Sequence, residues 1–210
     1  IRRIDEIDEA LQLTGCSKVS YLIDTHEHFD HTSANFYFAQ RGIPIVASAG
    51  CAAAMRDEGG PDFERMMKPV PELYERFPGL CLTLPDIVFR DSKTIVLPGA
   101  TLHLRYCAEN GHSHSKGDTT IFFEEEEILV AGDLLYTEVH PVTFFGNIPN
   151  WLTALKPLVE SFADRTVAAM SDFVLAANMV HGRGNAMFVL AARSTSRSMP
   201  SRFSASITIT

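Results

Sequence analysis

The chain lacks paired cysteines, a long apolar run and an excess of basic charge, and each absence removes a class of function. Its four cysteines, Cys16, Cys51, Cys81 and Cys107, stand far apart. No two have the short spacing of a zinc knuckle or a redox pair, so they read as buried or free thiols. The longest apolar stretches, such as residues 173–180 and 128–131, fall well short of the roughly 20 residues of a membrane helix. Eighteen Lys and Arg against 26 Asp and Glu leave a net charge of −8, which disfavours an electrostatic grip on nucleic acid or anionic lipid. The visible start, Ile1, has no initiator Met and no cationic stretch leading into an apolar one, so no targeting segment is legible and a cytoplasmic location is the expectation.

What is present is ordinary globular material. Of 210 residues, 46% are apolar and 21% charged, enough for one sizeable core. Ile4, Ile7, Ala10 and Leu11 fall on one face of a helix over residues 2–13. Residues 19–23 then read as a strand that ends in the polar loop 24–31. Ser33 is placed to cap a helix over 34–41 that Gly42 closes, and 43–47 reads as a second strand. Residues 51–77 are helical in pattern but broken by Pro61, Pro69 and Pro71, which predicts two or three short helices.

Residues 87–89, 94–97 and 101–106 are β-prone, the latter two joined as a hairpin at Pro98 and Gly99. A second hairpin is expected from 119–123 and 128–131 around the solvated turn Glu124–Glu127. Residues 151–162 form an amphipathic helix with Asn150 as cap, Pro157 as a kink, and Leu152, Leu155, Leu158, Val159 and Phe162 inward. This alternation predicts an α/β sandwich with functional groups on loops beyond strand ends. One domain over 1–192 and a disordered Ser/Arg-rich tail over 193–210 complete the expectation.

Five of the eight histidines lie in two tight clusters. In Thr25-His26-Glu27-His28-Phe29-Asp30-His31, three imidazoles and a carboxylate crowd one loop directly after a strand, where desolvation is costly unless something binds them. A metal is the natural occupant, and neutral imidazole with carboxylate suits zinc most simply.

His26-x-His28-x-Asp30-His31 resembles the signature of the metallo-β-lactamase fold superfamily, and later motifs follow in the same order. Gly111-His112-Ser113-His114-Ser115-Lys116-Gly117-Asp118 is similar to the superfamily's Gly-x-x-His-Thr-x-Gly-Asp loop. Val130-Ala131-Gly132-Asp133 is similar to the strand end that carries a bridging aspartate, and His181-Gly182 to the closing Gly-His-Gly. The His-x-x-Gly-Asp spacing favours His114 over His112 as the ligand. Met179 and Val180 stand where the superfamily usually has Pro-Gly before His181.

The resemblance implies a four-layer αββα sandwich whose first strands should precede Arg2 and are missing from this chain. It implies that His26, His28 and His114 hold one ion, that Asp30, His31 and His181 hold another, and that Asp133 stands between them. The cofactor is then two Zn2+ per chain, with Fe or Mn as the other metals this donor set accepts. The ions would share a water that serves as nucleophile, and Asp30 would orient it and shuttle its proton. Tyr136 resembles the tyrosine that polarises the carbonyl in lactone-hydrolysing members, although a core aromatic is the commoner explanation. His112 and His140 are candidate substrate contacts, and His103 reads as structural.

The function expected from these residues is metal-dependent hydrolysis of an ester, thioester or lactone in a small-molecule substrate. Asp133 argues against β-lactam cleavage, because true β-lactamases of the superfamily replace this aspartate with Cys or Ser. The charge of −8 argues against its nucleases. An iron-dependent persulfide dioxygenase is the alternative from another reaction class. An inactive fragment of a metallo-hydrolase is the third reading.

Overall fold

Alternation of apolar side chains along each strand explains the layering. In the computed structural model, which describes residues 4, 7, 11, 18–136, 140–162, 167–168 and 188–191, Val19–Ile23 (β1) and Ile45–Ser48 (β2) pair in parallel, with Leu22 opposite Ile45 and Ile23 opposite Val46. Ile87–Phe89 (β3) extends the sheet beyond β2, and Phe188–Ala191 (β9) lies antiparallel on the other side of β1. The order is β3-β2-β1-β9. A second sheet runs in sequence order through Ser92–Leu97 (β4), Ala100–Tyr106 (β5), Thr119–Phe123 (β6), Ile128–Val130 (β7) and Val167–Ala168 (β8). Its pairs are antiparallel except β7 with β8.

Successive strand residues face opposite sides of a sheet, and here both sides are covered. Leu22 and Ile45 pack with Phe36, Phe38, Phe63 and Leu73 from helices. Their neighbours Ile23 and Val46 turn the other way, onto Leu102, Leu104, Ile121 and Val130 of the second sheet. Across that sheet Leu129 meets Trp151 and Leu158 of the helix Ile148–Phe162. The sequence of layers is helix, sheet, sheet, helix, as expected.

The broken helical stretch resolves into Ala49–Asp57, Gly59–Met67 and Glu72–Arg76. Both hairpins form, the first turning at Gly99 with φ of +82°. Ile4, Ile7 and Leu11 are helical, and Ile4 and Ile7 are buried with the helical layer. No helix among the described residues is long and apolar enough to cross a membrane. His181 and residues 193–210 lie outside the described residues.

Four local expectations are corrected. The loop 24–31 is not irregular throughout: Phe29–Thr32 is a helical turn that carries Asp30 and His31, and Ser33 closes it by donating its N–H to the Phe29 carbonyl. The next helix, Asn35–Ala39, therefore begins without a side-chain cap from Ser33, because Ser33 is already in helical conformation. Asn150 is likewise inside its helix, and the capping oxygen is Oδ1 of Asn147, 3.1 Å from the Asn150 N–H. With that start, Trp151, Leu155 and Leu158 make the inward stripe at spacings of four and three. Leu152 and Val159, each one residue beyond an inward position, are 63% and 60% exposed.

Leu22 is fully buried between sheet and helices. Leu22→Ala is expected to cost about 2–5 kcal/mol of stability, the range for a buried leucine truncated in a core that relaxes only in part. Chemical denaturation of the variant checks this.

Candidate metal centre

One edge of the sandwich gathers the polar loops. The loop after β1 carries His26 and His28, the segment before β6 carries His114, and the 3-10 turn Gly132–Leu134 after β7 carries Asp133. These loops are joined by backbone: Thr119 donates its N–H to the Thr25 carbonyl at 2.8 Å. Gly132, with φ of +56°, lies so close to Thr25 that a Cβ there would sit 3.1 Å from the Thr25 Cβ.

Three imidazoles converge at this edge. Nδ1 of His28 lies 3.1 Å from Nε2 of His26 and 3.1 Å from Nε2 of His114. Nδ1 of His26 is occupied by the Thr25 hydroxyl at 3.1 Å, which leaves Nε2 for the cluster. Burial lowers the pKa of all three rings. His26 is pushed well below the ordinary value, with the neighbouring histidines adding to the effect. His114 falls to about 4, even though the Asp133 carboxylate works in the opposite direction, and His28 also moves down. The rings are therefore neutral near pH 7, the form that donates a lone pair to a metal.

A second group shares His26. Ligand atoms of His26, His31 and Asp133 all lie within 4.8 Å of one another, as do those of His26, His28 and His114. Asp133 faces both groups, with Oδ1 at 3.5 Å from Nε2 of His31 and Oδ2 at 3.6 Å from Nε2 of His114. Burial raises the pKa of its carboxyl, but His31, the Tyr136 hydroxyl and His114 outweigh burial and hold it below the usual carboxylate range. Asp30, with a side chain 42% exposed, places Oδ2 at 3.6 Å from Nε2 of His31.

The donor set fits a small divalent cation. A tetrahedral zinc with bonds of about 2.0–2.1 Å to nitrogen sets its ligand nitrogens about 3.3 Å apart, close to the 3.1 Å separations found here. Neutral imidazoles hold only one N–H each, so three nitrogens aimed at one point are served better by a shared cation than by one another.

A family model described as the metallo-beta-lactamase superfamily matches residues 6–171. The chain belongs to the metallo-β-lactamase superfamily. Solved structures agree at the level of fold. A metallo-beta-lactamase from Pontibacter korlensis has 17% identity and a TM-score of 0.59, over 77% of this chain and 67% of that one. The BLEG-1 B3 metallo-beta-lactamase has 18% identity and a TM-score of 0.61, over 79% of this chain and 75% of that one. An archaeal metallo-beta-lactamase superfamily protein from Sulfolobus tokodaii has 18% identity and a TM-score of 0.53, over 84% of this chain and 65% of that one. The chain thus spans about two thirds to three quarters of these structures.

Within this superfamily member the other candidate residues take distinct places. His114 is buried in the cluster, whereas His112 is half-buried and its carbonyl accepts from the Asn150 amide at 3.4 Å. His140 is exposed. Tyr136 donates its hydroxyl to Oδ2 of Asp133 at 2.7 Å, so that group is committed to the carboxylate. His103 is exposed on β5, between Thr94 and Glu124.

Several supporting residues carried no sequence signal. The side-chain amide of Asn35, fully buried, donates to Oδ2 of Asp24 at 2.8 Å and to the Thr83 carbonyl at 3.2 Å. Burial pushes the Asp24 carboxyl up to about 7, although Asn35 and His31 pull against it. Trp151 sets its ring edge-on to His114, centroids 5.1 Å apart, and donates Nε1–H to the Leu134 carbonyl. Glu27, between two ligand positions, accepts the Lys116 N–H at 2.8 Å.

The segment bearing His114 is wound around Asp118. That carboxylate accepts from the hydroxyls of Ser113 and Ser115 and from the Ser115 N–H. Gly117 then passes so close to Cys51 that a Cβ would lie 2.5 Å from the Cys51 Cα, while its carbonyl accepts from the Ser48 hydroxyl at 2.8 Å.

Gly117→Ala is accordingly expected to displace the His114 segment and cost about 1–3 kcal/mol, as for overpacking elsewhere. Zinc affinity should fall about tenfold, as read by competition with a chromogenic chelator, and an unchanged affinity would refute the positioning role. The Asp118 carboxyl is pushed up by burial from 3.8 to about 6, against the pull of Ser113 and Ser115. Because the unfolded chain ionises first, its contribution to stability is full below about pH 4 and is lost as pH rises to about 6. A carboxyl 13C NMR titration of Asp118 should show a midpoint near pH 6, and one near pH 4 would contradict this.

Proposed function

We propose that this chain is a binuclear metallo-hydrolase that cleaves an ester, thioester or lactone bond in a small-molecule substrate. The observation that carries the reading is the pair of ligand groups that share His26 and face opposite oxygens of Asp133. His26, His28 and His114 would hold one Zn2+, and His31, Asp133 and Asp30 the other, with His181 as the further ligand that the superfamily motif suggests. Bound divalent metal supplies a water acidic enough to ionise near neutral pH and a Lewis acid for the substrate's carbonyl oxygen.

The chain's own groups supply the rest. Asp30 is the most exposed carboxylate at the centre, held beside His31 by the helical turn Phe29–Thr32. It is placed to accept the proton of the attacking water and pass it to the leaving oxygen or sulfur, the work of a general base followed by a general acid. Tyr136 orients Asp133 through its hydrogen bond to Oδ2, and burial together with the adjacent carboxylate raises its phenol pKa, so it remains a donor. Trp151 packs against His114 and limits how that ring can rotate. His112, two residues before His114, and His140, seven after Asp133, are proposed as substrate contacts.

The purified chain is expected to carry about two zinc ions per molecule by elemental analysis, and His26→Ala to lose the ion held with His28 and His114. On a panel of thioester, lactone, β-lactam and phosphodiester substrates, Asp30→Ala should lower the rate on the first two by about 10²–10⁴, the usual contribution of a positioned acid or base. Turnover unaffected by that substitution would refute the mechanism. Iron in place of zinc, with oxygen uptake on a persulfide, would move the protein to the dioxygenase class.

A further inference from the structure

Beside the imidazole cluster, the turn 143–147 presents two aromatic rings to solvent. Phe144 is 89% exposed and Phe145 64% exposed. The Phe145 ring lies 5.4 Å from that of His28, centroid to centroid. Large apolar side chains left in water on this scale mark a surface that meets something apolar.

The turn is fixed to the metal-ligand segment by its backbone. Asn147 donates its N–H to the Ser113 carbonyl at 2.7 Å, and Gly146 donates to the Thr143 carbonyl at 3.1 Å. Gly146 is pressed between the Ser113 carbonyl and the Trp151 ring, where a Cβ would have only 3.0 and 3.2 Å. The backbone next to the two phenyl rings is thus held at a set position relative to His114, which follows Ser113. Apolar surface continues onto the helix that begins here: Ile148 is exposed, and Leu152, one turn later, is exposed on the same side. One turn of helix adds about 5.4 Å to the strip.

We propose that Phe144 and Phe145 form a binding wall for the apolar acyl chain of the substrate, so that the protein prefers esters or thioesters of medium-length, uncharged acyl groups. This rests on the hydrolase reading above and narrows its substrate class. Continuity with the ligand cluster is what selects a substrate as occupant. A group bound at His28, His26 and His114 and extended by a few carbons toward Phe145 would cover the rings and be shielded from water by them.

The test uses the full-length, zinc-loaded chain in two independent arms. In the first, kcat/KM is measured on p-nitrophenyl acetate, butyrate, hexanoate and octanoate. The wild type should gain about twofold per added methylene, the gain for half-burying a CH2 group. Phe144→Ser/Phe145→Ser should abolish this slope while leaving the circular dichroism melt unchanged. In the second arm, isothermal titration calorimetry compares butyrate with octanoate as product carboxylates. Octanoate should bind the wild type at least tenfold more tightly, and the double variant should bind the two alike.

If none of the esters is hydrolysed but the calorimetric preference appears and depends on the two rings, the hydrolase reading fails and the apolar wall stands. If neither rate nor affinity depends on chain length, or if the dependence survives the double substitution, the wall is refuted. A wild type that is dimeric by light scattering, with a monomeric double variant, would also overturn it by assigning the rings to a second copy of the chain.

Discussion

The working edge of this protein depends on holding three uncharged imidazoles in contact at a place that water barely reaches. His26 and His114 are buried, and their nitrogens crowd Nδ1 of His28 at 3.1 Å. Placing a charge on any of these rings would add like-charge repulsion to the loss of hydration, so the cluster stays neutral. Neutral rings with converging nitrogens in turn form a cluster able to hold a cation, and neighbouring groups at this edge hold the rings in place. Desolvation therefore does two jobs here. It sets the protonation state of the ligands, and it makes their close approach costly unless a metal is present.

Keeping the rings together requires two loops from different sheets to meet without slack. The meeting is made by backbone, through the Thr119 N–H on the Thr25 carbonyl and by the close approaches of Gly132 to Thr25 and of Gly117 to Cys51. At Gly117 the lack of a side chain is a requirement of packing, since Cys51 occupies the space a Cβ would take. Asp118 then organises the segment from within by accepting three hydrogen bonds from residues on either side of His114. Asn35 plays the corresponding part beneath the other loop, where it ties Asp24 to the Thr83 carbonyl. The histidines are placed by residues outside the two ligand groups.

Much of this was legible in the sequence because the strongest constraints leave local marks. Strand residues that alternate between two cores, such as Leu22 and Ile23 or Leu129 and Val130, read as short fully apolar runs. The candidate ligand positions stood out as an improbable density of His and Asp after a strand. The helix read over 151–162 was legible as a helix, and Leu155 and Leu158 point inward as expected, but Leu152 and Val159 do not, because a leucine-rich pattern admits several apolar stripes. Only the choice of Trp151 and Leu158 as inward residues determines that Leu152 and Val159 face out. Ser33 and Asn150 misled for a related reason: a residue with capping chemistry can sit within a helix when an earlier residue has already begun or closed the turn. The contacts of Tyr136 with Asp133, of Trp151 with His114 and of Phe145 with His28 join separate segments, and no local pattern marks them.

The two ligand groups on either side of the aspartate after β7 are also unequal. Its Oδ2, which faces His114, accepts a hydrogen bond from Tyr136, and its Oδ1 faces His31 at 3.5 Å. That same side carries Asp30, the most exposed carboxylate of the centre. The side toward His114 is walled instead by Trp151 and, across His28, by Phe145. Negative charge and proton-accepting capacity thus gather on one side of the centre and aromatic surface on the other. A substrate that uses both must be polar at the bond to be broken and apolar in the part that leads away from it.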